Sequence, residues 1–69
     1  MKLSARNVIK GKIKKITYGL VDAEVIVELH GKTKIVSVIT KESAKRLGLK
    51  KGKDAYAIIK SSNVIIGVD

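Results

Sequence analysis

Two short segments carry the chemistry of this chain. Ser4-Ala5-Arg6-Asn7 near the start and Lys60-Ser61-Ser62 near the end collect hydroxyl, amide and cationic donors without one carboxylate among them. Arg6 offers a permanent charge and directional N–H groups, Lys60 a point charge, and the serines donors that rotate to suit. Such a set is suited to a multiply charged oxyanion. A third place is Thr40-Lys41-Glu42-Ser43, where an N-capping residue opens a helix and free N–H groups favour a negative ligand. Each segment by itself also reads as an ordinary polar turn, strand entry or helix cap.

The elements that must position these residues follow from patterning. Asn7 to Thr17 carries Val8, Ile9, Ile13 and Ile16, with Gly11 marking a bulge or bend, so the first strand is expected to be curved. After a Tyr18-Gly19 turn, Val21, Ala23, Val25, Val27 and Leu29 alternate with Asp22, Glu24, Ile26, Glu28 and His30, the period of a strand. His30-Gly31-Lys32 makes a tight hairpin connection. Thr33 to Thr40 returns with Ile35, Ser37 and Ile39 on one face and Val36 and Val38 on the other, which predicts burial on both faces. Thr40 to Gly48 then reads as a helix of about two turns, capped by Thr40 and ended by Gly48, with Leu47 and Leu49 packing it over the sheet. Lys50 to Lys53 is an exposed loop. Asp54 to Lys60 and Val64 to Val68 complete the chain as two strands joined by Ser61-Ser62-Asn63. The expected fold is all-β: a five-stranded antiparallel barrel of oligonucleotide-binding type, with one short helix between strands 3 and 4.

Length and composition narrow the function. Sixty-nine residues make one small domain, 1–69, whose core is modest, and with no cysteine and a single histidine neither disulfides nor a zinc site can reinforce it. Oligomerisation is the remaining route. The charge of +9, from 15 Lys+Arg against 6 Asp+Glu, implies anionic partners. No apolar run spans a bilayer and the first eleven residues hold no secretory signal, so a cytoplasmic protein is expected. Absence of cysteine, of clustered histidines and of evident paired carboxylates argues against an enzyme.

Taken together, the segments resemble the molbindins, the small molybdenum-pterin-binding or Mop domains, which are similar to TOBE domains. The resemblance covers essentially the whole chain: Ser4-Ala5-Arg6-Asn7 followed by an apolar pair and Lys10-Gly11, Ala23-Glu24-Val25, Ile39-Thr40 with Ser43, Leu47-Gly48-Leu49, and Ile59-Lys60-Ser61-Ser62 before Val64. It implies a non-catalytic, cytoplasmic protein that binds molybdate or tungstate for storage, buffering or delivery and has no catalytic cofactor. It also implies a homo-oligomer, a hexamer built as a trimer of dimers. By the family pattern Ser4, Arg6, Lys60 and Ser61 fall on oxyanion-binding positions, as do Thr40 and Ser43, whose donors come from a neighbouring subunit. Asn7 belongs to the same motif, as a ligand or as a support for the turn. Asp22 departs from the pattern, standing where a neutral polar residue is expected; it would repel a dianion unless it paired with Lys60 or Arg6.

A donor-only pocket also rationalises selectivity. Molybdate and tungstate are unprotonated dianions at neutral pH, whereas phosphate usually keeps a proton that needs an acceptor; sulfate must be excluded by size. The alternative is a basic nucleic-acid-binding module, for which Tyr18 and Tyr56 are the only aromatic rings, and Tyr56, among apolar neighbours, is expected in the core.

Overall fold

The computed structural model describes residues 1–69. Its four strands are β1 (Asn7–Tyr18), β2 (Asp22–Glu28), β3 (Lys34–Thr40) and β4 (Asp54–Ile59), with one helix, α1 (Lys41–Arg46), between β3 and β4. They form one antiparallel sheet in the order β3-β2-β1-β4. No helix is long and apolar enough to cross a membrane.

The twelve-residue β1 serves two partners. Asn7 to Lys12 pair with Ile59 to Asp54 of β4, and Lys12 to Tyr18 pair with Glu28 to Ala23 of β2. The register slips between Ile13 and Lys15, so Lys14 is the extra residue of a β-bulge, which bends the strand and curls the sheet. The irregularity therefore sits three residues beyond Gly11, where the sequence pointed to it. Gly11 instead permits a close crossing of strands, since a Cβ there would lie 2.6 Å from the Glu28 carbonyl oxygen and 2.8 Å from Val27 Cγ1. Gly11→Ala is expected to destabilise the fold by about 1–3 kcal/mol, the range for forced overpacking. Chemical denaturation would check this, and an unchanged midpoint would contradict it.

Ile13, Val25 and Val27 form the buried core, with Ile16, Leu29, Ile39, Leu49 and Ala55 packed against it. Only five of the 69 residues are fully buried, so much of the apolar sequence is left on the surface. The expected burial of both faces of β3 does not occur within one chain: Val36 is 60% and Val38 64% exposed. Tyr56, expected in the core, is half-exposed, because β4 is an edge strand that turns alternate side chains outward. Of the two leucines expected to pack the helix, Leu49 meets the core while Leu47 stays exposed.

The expected fifth strand is absent. After β4 a one-turn 3-10 helix (Ser61–Asn63) leads the chain out of the sheet, and the segment from Val64 onward pairs with no strand. Ile65, Ile66 and Val68 are almost wholly exposed. Strand patterning reports an apolar segment able to pair, but not whether its own chain supplies the edge.

Asp54, at the start of β4, accepts a 2.7 Å hydrogen bond from Lys12 Nζ and lies 3.6 Å from Lys10 Nζ. The Lys12 hydrogen bond and charge, then the Lys10 charge, hold its carboxyl below its ordinary value of 3.8. A carboxyl depressed by folding adds stability above its unfolded pKa and loses it as pH falls through the folded one. Asp54→Asn should thus narrow the stability difference between pH 6 and pH 3, measured by thermal unfolding; an unaltered acid limb would refute that role.

Candidate functional site

The β1–β4 pairing explains how two segments more than fifty residues apart become one site. Asn7 opposes Ile59, so the residues just before β1 and just after β4 emerge side by side. Ser4, Ala5, Arg6, Lys60, Ser61, Ser62 and Asn63, with Ile58, line an open pocket of about 590 Å³ at that end of the sheet. None of them is a carboxylate. Ser61–Asn63 is fixed by bonds from Asn63 N–H to the Lys60 carbonyl (2.8 Å) and from Val64 N–H to the Ser61 carbonyl (3.3 Å). The N–H groups of Ser61 and Ser62, and those of Ala5 and Arg6, have no backbone acceptor. Two cationic residues and three serines thus line one concavity, a set suited to an oxyanion.

Ser4, Arg6, Lys60 and Ser61, which the family resemblance groups, line the same pocket. Asn7 lies beside the pocket, and its Nδ2 donates a 3.2 Å hydrogen bond to the Ile59 carbonyl, locking the entry of β1 to the exit of β4. Ser62 and Asn63 also line the pocket. They lie in the same polar turn as Ser61, and that continuity was the available signal.

Thr40 and Ser43 stand elsewhere. Thr40 opposes Asp22, and the neighbouring Ala23 opposes Tyr18, which places Thr40 at the far end of β1 from Asn7. Within one chain the length of that strand separates them from Arg6. Together they cap α1: Thr40 is extended (φ −69°, ψ 148°) and its Oγ1 accepts from Ser43 N–H at 3.0 Å. The Thr40 and Ser43 hydroxyls are hydrogen-bonded to each other at 2.7 Å. Gly48, with φ +64°, supplies the left-handed turn that closes α1. Asp22 shares this end of the sheet. It forms none of the three ion pairs, so the pairing with Arg6 or Lys60 is not made within the chain.

Fold and pocket together define a small, curled antiparallel sheet of oligonucleotide-binding type with a polar, carboxylate-free pocket at one end. Residues 3–66 match the TOBE domain, and the chain belongs to that family. It is 46% identical over 66 residues to molybdenum-pterin-binding protein 3 of Clostridium pasteurianum, covering 96% of this chain and 97% of that protein. Among solved structures it is similar to MopII of the same organism, with a TM-score of 0.92 and 42% identity over 97% of this chain and all of that one. It is also similar to the cytoplasmic molybdate-binding protein ModG with molybdate bound, with a TM-score of 0.96 and 52% identity over the whole of this chain and 49% of that chain.

Proposed function

We propose that this protein binds molybdate or tungstate, without catalysis, as an intracellular store, buffer or carrier of the anion. The observation that carries this reading is the convergence of Ser4, Arg6, Lys60 and Ser61 on one pocket with no carboxylate in its lining. The named functions of its relatives, molybdenum-pterin binding and molybdate binding, support the choice of ligand. An unprotonated dianion takes hydrogen bonds from all sides and leaves no acceptor wanting. Several charge-assisted bonds of roughly 1.5–3 kcal/mol each suffice for micromolar affinity after ordering and desolvation costs.

Thr40 and Ser43 complete the site from a neighbouring subunit in a homo-oligomer, a hexamer arranged as a trimer of dimers. Two observations favour assembly. Thr40 and Ser43 stand at the opposite end of β1 from Arg6, and the exposed apolar face of β3 and the unpaired Val64–Val68 segment are left for another copy to cover. Asp22 then lies near the anion and tunes its affinity.

Calorimetric titration of the folded protein tests the reading. Saturable binding of molybdate and tungstate, with sulfate weaker, is expected; no saturable heat with either metal oxyanion would overturn it. The shared site has its own test. Arg6→Ala and Thr40→Val each weaken binding alone, and co-refolding the two variants should restore a fraction of full-affinity sites. No recovery in proven mixed assemblies would place both residues in a single chain's site or in none.

A further inference from the structure

The ion pairs of the chain engage Lys10, Lys12 and Lys14, and the donor pocket engages Arg6 and Lys60. Lys15, Lys34, Lys50 and Lys51 take part in neither, yet all four, together with Lys14, line one concavity of about 790 Å³. No carboxylate lines it, although Glu28 reaches Lys14 at 3.9 Å. The remaining wall is apolar and aromatic: Ile16, Ile26, Leu49 and the half-exposed ring of Tyr18.

This clustering is built by the fold. Consecutive residues of a regular strand point to opposite faces, but the bulge at Lys14 lets Lys14 and Lys15 line the same concavity. Lys34 enters from the start of β3. Lys50 and Lys51 are held over it by a tethered loop, with Leu49 packed on the core, Gly52 N–H bonded to the Ile13 carbonyl at 2.8 Å, and Ile13 N–H bonded to the Lys53 carbonyl at 2.9 Å. Five like charges around one hollow repel one another in the free protein, and an anion there relieves that repulsion.

We propose that this concavity is a second anion site, distinct from the Ser4–Ser61 pocket, for an organic polyanion that joins a chain of two or more phosphates to a planar ring system, as a nucleotide does. Lysines are point charges on flexible stems and match several spaced phosphates. They lack the serine hydroxyls and the arginine fork that suit the other pocket to one compact tetrahedral anion. Tyr18, with Ile16 and Ile26, offers the stacking surface for the ring, and the volume lies in the range of small-molecule sites.

Equilibrium titration of the full chain with ATP and with inorganic triphosphate tests the proposal. ATP is expected to bind more tightly than triphosphate, and Tyr18→Leu to erase that advantage. Lys15→Gln/Lys34→Gln/Lys51→Gln should lower ATP affinity at least about tenfold, several charged contacts being lost together, while molybdate affinity stays unchanged. A control with equal charge loss elsewhere, Lys2→Gln/Lys32→Gln/Lys45→Gln, should change ATP binding little. Equal weakening by both triple variants would reduce the effect to the general field of a cationic protein and overturn the site. Equal affinity for ATP and triphosphate, or displacement of ATP by stoichiometric molybdate, would overturn it as well.

Discussion

Arg6→Ala is expected to weaken molybdate and tungstate binding by about 10- to 150-fold, corresponding to a lost charge-assisted hydrogen bond of roughly 1.5–3 kcal/mol. The fold should survive, because Arg6 precedes β1 and contributes nothing to the Ile13–Val25–Val27 core. Arg6→Lys should recover only part of the loss, since an ammonium replaces the charge but not the forked donor geometry. Ser4→Ala should act in the same direction with a smaller effect, a neutral hydroxyl being a weaker donor. Calorimetry alongside circular dichroism separates binding from folding. Normal affinity per folded subunit in Arg6→Ala would remove Arg6 from the site.

Ending the chain after Asn63 is expected to leave each subunit folded but to shift the protein to smaller assemblies. All five fully buried residues lie between Ile13 and Ala44, so the lost segment supplies none of the monomer core. It does supply Ile65, Ile66 and Val68, each with more than four-fifths of its surface free. Covering such side chains contributes roughly 1.5–3 kcal/mol apiece, a stabilisation of assembly that the shortened chain lacks. The free edges of β3 and β4 offer unpaired backbone groups to a strand from another copy. Native mass spectrometry or sedimentation of the shortened chain reads the result, and retention of the full-length assembly would refute this role for the segment. If the Thr40 and Ser43 donors do come from a neighbour, oxyanion affinity should fall with the assembly even though Ser4, Arg6, Lys60 and Ser61 are all present.

The contrast between these two experiments reflects what each level of structure decides. Local patterning was legible wherever one residue's neighbours determine its conformation. The alternation from Val21 to Leu29 gave β2 and its buried face, and Thr40 with Ser43 and Gly48 gave both ends of α1. The absence of carboxylates from Ser4-Ala5-Arg6-Asn7 and Lys60-Ser61-Ser62 was equally legible, though each segment alone also reads as an ordinary polar turn or strand entry.

Tertiary structure decided what depends on partners distant in sequence. It joined the two donor segments through the Asn7–Ile59 pairing, engaged the Asn7 side chain in that junction, and put Thr40 and Ser43 at the other end of β1. It moved the bulge from Gly11 to Lys14, because a missing side chain answers either to a bend or to a close crossing, and only the position of Glu28 tells which. It also left Val64–Val68 unpaired. A continuous apolar run rich in β-branched residues states that it needs an edge to pair with; the sequence by itself determined that need, and the packing of one chain does not meet it.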